Sequence, residues 1–540
     1  MRITRARIAA GTAVLSIALT GVLALGGPAS GAAPSTWSTA GQDIQNTRSQ
    51  PGEREIGVAN ASSLAPKWTF TTSGDVSATP AVDSNRVYVP DWGGHVYAID
   101  RATGAELWST TVSSVTGVAN DYARNTPAIA GNVLILGNQG AKFATPNTPI
   151  GQRGAWVFGL NKNTGALLWK TQIESQFSAI VTQSAIVKGG VAYVGAASNE
   201  EAFAADPTYT CCNFIGSVSA LDVNTGALLW KTLMAPPAPA GWDPAIDGPW
   251  YSGAAVWGST PAIDSATNSL YITTGNNYSA PTSVTECLET ATDPAARSAC
   301  VDPRDYFDAI VALDLTTGAT KWVYRALPDD FWNVACGIPP FIPPGPNCPD
   351  PEGPDFDFGQ GPALFQVKIN GKVRNVIGAG QKSGDYTLLD RVTGAVIWKT
   401  HVGTGGLLGG LQWGSATDGK RIYVAKSNSA DAFSGVPGYW AALDAATGAV
   451  LWTTNDPFYA FTFSAQGAVS VANGVVYACT LDAQGHMLAM NAATGQILWT
   501  FPSGGACNSG AAIVDGTVYW GSGYRLFGTP NNKLYALGVS

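Results

Sequence analysis

One arrangement of hydrophobic and polar positions keeps returning along the chain. An aliphatic-rich stretch ends in Asp or Asn, a few polar residues lead to Thr-Gly, and a tryptophan follows four residues after the glycine. It reads YAIDRATGAELW up to Trp108, GLNKNTGALLW up to Trp169, ALDVNTGALLW up to Trp230 and ALDLTTGATKW up to Trp322. LLDRVTGAVIW up to Trp398, ALDAATGAVLW up to Trp452 and AMNAATGQILW up to Trp499 complete the series. Each copy predicts a hairpin: a strand, a tight turn in which glycine supplies a positive φ, and a return strand. The tryptophans stand between 47 (Trp452 to Trp499) and 92 residues (Trp230 to Trp322) apart, so every interval can hold four strands with loops. Repeats of this kind mean a propeller or a solenoid.

Two incomplete copies decide between them. LAPKWTF carries Trp68 without its preceding strand, and NKLYALGVS near the other end is a strand without its tryptophan. Together they make an eighth blade, closing the ring with strands from both ends and covering edges that an open array would expose. The expectation is an all-β, eight-bladed β-propeller, with each tryptophan packed between neighbouring blades.

Composition narrows the functional classes. Of 540 residues only 13% are charged, the net charge is −8, and no Lys/Arg cluster occurs outside the extreme N-terminus. Nucleic-acid binding wants a basic stripe, and none is present. Arg2, Arg5 and Arg7 precede an apolar run from Ile8 to about Leu25, then the small residues of Pro28 to Ala33. That order predicts a signal peptide over residues 1–33, a mature propeller over 34–540, export from the cytoplasm, and no membrane insertion of the mature protein. Eight cysteines in an exported chain predict disulfides, and neighbour pairing would give four, one of them between Cys211 and Cys212. The sequence itself leaves the connectivity open. No CxxCH is present, no CxxC pair marks zinc, and there are only three histidines.

Outside the repeat, polar residues follow two strands that should be neighbours on the axis. VAYVG leads to Glu200-Glu201 and LYITTG to Asn276-Asn277. Acidic and amide oxygens from adjacent blades suit a hard cation such as Ca²⁺. A solvated loop carboxylate and a turn asparagine account for the same spacing.

The eightfold repeat, together with ASNEEAFAADPTYTCCNFIGSVSALD, GGLQWGSATDGKRIYVA and GTVYWGSGY, resembles the quinoprotein alcohol dehydrogenase family, nearest to its polyvinyl-alcohol-oxidising branch. The resemblance implies pyrroloquinoline quinone (PQQ) and Ca²⁺ as cofactors. It implies an alcohol substrate, secondary and polymeric by the nearest branch, and a separate electron acceptor such as a cytochrome or quinone. Carried over residue by residue, it implies that Arg124, Thr182, Trp257 and Lys382 bind the quinone, with Cys211-Cys212 as a ring against it. It implies Glu200, Asn276 and Asp305 at the metal, and Asp305, with Asp302 second, as the base that takes the alcohol proton. Asp308 is expected simply as a strand residue. Two departures stand out: no Asp-Asn pair precedes Asp314 at the family's spacing, and the family's His-Asp-x-Trp-Asp stretch reads Asp329-Asp330-Phe331-Trp332-Asn333. A non-catalytic propeller scaffold, like the outer-membrane assembly propellers, would carry the same repeat but would not need Glu200, Asn276, Trp257 and Lys382 together; a carbohydrate-binding lectin propeller would use exposed tryptophans.

Overall fold

A computed structural model describes residues 35–140, 145–338, 342–430, 435–460 and 463–539. The expected signal segment, residues 1–33, lies outside them. Eight antiparallel four-stranded sheets follow one another around a central axis as the blades of a propeller. Blades one to seven occupy residues 81–111, 128–174, 179–233, 262–325, 363–401, 410–455 and 470–502. The eighth joins Ala512–Val514, Thr517–Ser522 and Lys533–Val539 to Leu64–Thr71 from the other end of the chain, with Trp68 opposite Ala536.

The repeat phrase explains how blades attach. In the turn after the third strand of blade one, Asp100 Oδ1 accepts from the backbone N–H of Ala102 and Thr103 and from the Thr103 hydroxyl. Gly104 then turns left-handed at φ +75°. Asp222, Asp314, Asp390 and Asp444 build the same turn. The glycine has a second reason to be glycine. The tryptophan of the preceding blade lies flat against it: a Cβ on Gly165 would sit 2.6 Å from Trp108, and one on Gly226 2.4 Å from Trp169. The indole N–H then donates across the blade boundary, from Trp108 to Lys162 O and from Trp169 to Val223 O. At the ring closure Trp499 donates to Leu64 O. Seven such contacts, from Trp68 on Gly104 to Trp452 on Gly495, hold neighbouring blades in register.

A second device was not anticipated by the sequence pattern. Residues 37–50 run once around the axis and touch the innermost edge of every blade in turn. Trp37 exchanges backbone bonds with Val82 of blade one, Ser38 O accepts from Ile129 of blade two, and the Thr39 hydroxyl donates to Ala185 O of blade three. Ile44 O and Gln45 O accept from Ile263 and Leu364 of blades four and five. Thr47 O and Arg48 O accept from Thr417 and Val471 of blades six and seven, and Gln50 Nε2 donates to Ile513 O of blade eight. This lace places Arg48, 1% exposed, on the axis.

All eight cysteines are paired: Cys211–Cys212, Cys287–Cys300, Cys336–Cys348 and Cys479–Cys507. Two of these bridges brace the insertions between residues 282 and 350. No helix among the described residues is long and apolar enough to cross a membrane.

Candidate active site

A cavity of about 210 Å³ opens near the axis, lined from several blades by Arg124, Thr182, Glu201, Trp257, Asn276 and Lys382, with Asp357 and Trp413 beside them. The chain segments that lead into and out of the inner strands supply these side chains, which is how residues 258 positions apart in sequence meet.

Its walls are aromatic and cationic. Trp257 and Trp413 meet edge to face with ring centroids 5.5 Å apart. The Arg124 guanidinium lies between two indoles, 5.4 Å from the centroid of Trp413 and 5.6 Å from that of Trp92. Lys382 Nζ stands 5.6 Å from the Trp257 ring. A Cβ on Gly359 would come within 2.7 Å of Trp257, so glycine there allows the backbone to press against the indole.

The floor is acidic. Lys382 Nζ pairs with Asp355 at 2.8 Å and Asp357 at 2.9 Å, all three side chains buried. Asp357 also accepts from Trp257 Nε1 at 3.1 Å and from the Asn276 backbone N–H at 2.5 Å. Asp330 accepts from the N–H of Asp355 and Phe356, fixing that loop. Asp308, at φ +41°, has both carboxyl oxygens buried without a hydrogen-bond partner, beside the acids Asp330, Asp355 and Asp357. Burial and the neighbouring acids hold Asp308 well above the usual carboxylate range. Burial pushes Glu201 up to about 7, with Lys382 opposing and Asp357 and Asp330 adding to the rise. Burial alone would lower Lys382, but Asp355, Asp357 and Glu201 outweigh it and hold the ammonium above its ordinary value.

This set fits a hard cation. Glu201 Oε1 is buried without a donor. The Asn276 amide nitrogen is committed to Asn277 O and Trp332 O, which turns its oxygen the other way. Three carboxyl groups (Glu201, Asp355, Asp357) act on the ammonium of Lys382, Asp308 and Asp330 neighbour those acids, and all the candidate ligands are oxygens.

Arg124, Thr182, Trp257, Asn276 and Lys382, expected from the sequence, all line this cavity. Glu200 does not. Its Oε1 accepts from Tyr209, Gln176 and the N–H of Asn213, and its Oε2 from the N–H of Phe214. Glu200 and Glu201 open a short helical turn, Glu200–Phe203, where successive side chains diverge by about 100°. The first faces the loop and the second the cavity. Asp305 is buried outside the cavity, Oδ2 accepting from Asn277 Nδ2 at 2.6 Å, and burial raises it to about 7. Asp302 is engaged by Arg304 at 2.7 Å. Asp308 precedes its strand, Ala309–Asp314, rather than lying in it. Cys211 of the Cys211–Cys212 bridge lines a different recess, with Cys348 and Asn347, and neither cysteine lines the cavity. In the Asp329–Asn333 stretch, Asp329 pairs with Arg297 while Asp330 supports the acidic floor. Asp355, Asp357 and Trp413 were passed over; the alternating carboxylates of PDFDFGQG were the available signal.

An aromatic-walled, cation-edged cavity with an acidic, oxygen-rich floor on an eight-bladed propeller defines a class, and comparison with known proteins agrees. Residues 37–343 match the glucose/ethanol/alcohol dehydrogenase β-propeller domain, the PQQ domain. The chain belongs to the PQQ-dependent (quinoprotein) alcohol dehydrogenase family. The polyvinylalcohol dehydrogenase of Sphingopyxis sp. (strain 113P3) is 31% identical over 544 residues, spanning 93% of this chain and 76% of the relative. That of a Pseudomonas sp. is 28% identical over 531 residues, 92% and 74% of the two chains. The crystal structure of quinohemoprotein alcohol dehydrogenase from Comamonas testosteroni shares the fold, with a TM-score of 0.68 at 21% identity over 94% of this chain and 80% of that one. Residues 382–540 also match the outer membrane protein assembly factor BamB, a likeness carried by the blade repeat.

Proposed function

We propose that this protein is an exported dehydrogenase that oxidises a secondary, polymer-borne alcohol such as polyvinyl alcohol, using PQQ and Ca²⁺, and hands the electrons to a separate carrier. The observation that carries this reading is the meeting of Arg124, Thr182, Glu201, Trp257, Asn276 and Lys382 in one cavity. A scaffold needs the repeat but not that meeting.

PQQ and Ca²⁺, held here, would supply a hydride acceptor and Lewis-acid polarisation of it. The residues divide the remaining work. Trp257 offers a flat face for a planar ring. Arg124 and Lys382 are fixed positive charges for carboxylates and for negative charge developing in the reaction. Glu201 and Asn276, rather than Glu200, hold the ion through oxygen. Asp357 is the aspartate that lines the cavity, and it takes the alcohol proton as the hydride leaves; Asp305 and Asp302 have no such access.

Dye-linked turnover of a panel of primary, secondary and polymeric alcohols, with PQQ and Ca²⁺ added, tests the reading. Asp357→Asn should lower kcat by roughly 10²–10⁴-fold, the usual worth of a general base. Asp305→Asn should leave kcat within a fewfold. The reverse ranking would return the base to Asp305, and no turnover of any alcohol by the wild type would favour the scaffold.

A further inference from the structure

A smaller cavity of about 50 Å³ adjoins the candidate cofactor cavity, sharing Arg124, Thr182, Trp413 and Tyr524 with it. Arg48, Thr79, Arg124, Thr182, Asn508 and Gly510 are among its walls. It is large enough for one or two water-sized particles, each occupying about 30 Å³ in the liquid.

Its unusual feature is charge. Arg48 arrives on the N-terminal lace and is buried at 1% exposure. Its Nε donates to Val469 O at 2.8 Å, Nη1 to Ala40 O at 2.9 Å and Nη2 to the Thr79 hydroxyl at 3.1 Å. Those acceptors are all neutral, and they use three of the five N–H donors of a guanidinium. No carboxylate among the described residues forms an ion pair with Arg48 or with Arg124. Burial, with no opposing charge, lowers Arg48 to about 10. The slot around it is shaped by glycines: a Cβ on Gly510 would fall 1.9 Å from Nη2, and one on Gly414 2.9 Å from Cδ. Arg124 Nε is another buried donor without a partner. A cation buried this deeply is costly unless a counter-charge accompanies it.

We propose that the axial cavity is an anion-binding site, in which a halide ion, or a carboxylate group of similar size, is seated against the Arg48 guanidinium. Both are compact monovalent anions able to take the remaining N–H donors. The lace would then act as more than a tie between blades, since it carries the cation that fixes the anion on the axis. The halide arm does not depend on the adjoining cavity holding a quinone.

Crystals of the protein soaked in sodium bromide, before and after loading with PQQ and Ca²⁺, test this by anomalous diffraction. A bromide peak beside Arg48 in the unloaded protein is expected. If it persists on loading, the resident is a halide; if a cofactor carboxylate replaces it, the source is the cofactor; both support the site. Absence of a peak from the unloaded crystals, with no carboxylate there after loading, overturns it. In solution, the wild-type Tm should rise with bromide relative to sodium gluconate at equal ionic strength, since a ligand of the folded state stabilises it. Asn508→Asp places a carboxylate in the cavity without changing side-chain shape, and should remove both the bromide peak and the bromide-dependent rise. An equal Tm of the wild type in the two salts, or an unchanged bromide response in Asn508→Asp, would contradict the proposal.

Discussion

Glu200 and Glu201 show how one residue's difference in direction separates stability from function. Glu200 accepts four protein donors, so Glu200→Gln turns an amide N–H₂ toward N–H or O–H groups. The expected cost is about 1–3 kcal/mol of stability, measured by denaturant unfolding, with Ca²⁺ affinity retained. Glu201→Gln should do the opposite: near-normal unfolding, with Ca²⁺ affinity reduced at least tenfold by titration calorimetry. Asp305 supplies a pH test. Burial raises its folded value to about 7, above the ordinary carboxylate range, so the folded state binds the proton more tightly. The resulting stability is full below about pH 4 and is lost as pH rises through 7. Asp305→Asn should flatten that part of the stability profile, by on the order of 4 kcal/mol at most. Five cavity residues were legible through the family resemblance: Asn276 and Lys382 follow strands, while Arg124 and Trp257 stand in the segments that precede them. It did not separate Glu200 from Glu201, since a single helical turn has no periodicity to read. It passed over Asp355 and Asp357 because they stand in a Pro/Gly-rich loop outside the repeat.

The blade-to-blade tryptophan contact is the unit of element-scale stability, and its glycine is constrained twice. Gly226 is left-handed at φ +71° and touches Trp169. Gly226→Ala should therefore pay a left-handed penalty of about 1–2 kcal/mol and an overpacking cost of about 1–3 kcal/mol. A drop in Tm without loss of the propeller's circular dichroism would be the observed result; an unchanged Tm would mean that the indole can withdraw freely. These hairpins were legible because turn chemistry and strand pattern coincide in each copy. The lace was not, because residues 35–50 bond mainly through backbone atoms, which leave no trace in side-chain type.

For the whole molecule, both ends of the chain close the ring. Strand Lys533–Val539 pairs with Leu64–Thr71, and the lace ties all eight blades from inside. Removing the chain from Lys533 onward, or removing residues 35–50, should each lower Tm and broaden the unfolding transition, with the first opening an edge and the second uncovering the axis. The eight-bladed ring was readable in full from the repeat and its two halves. The chemistry was readable only where the resemblance fell, and the loop carrying Asp355 and Asp357 lay outside it.

The central claim is that one cavity holds PQQ and a hard cation together. Equilibrium titration of the purified protein with PQQ, followed by absorbance with and without Ca²⁺, measures it directly. The account predicts saturable binding near one PQQ per chain that requires Ca²⁺, is weakened at least tenfold by Glu201→Gln or Lys382→Met, and is unaffected by Glu200→Gln. Binding that is absent, independent of Ca²⁺, or abolished by Glu200→Gln while Glu201→Gln binds normally would contradict it.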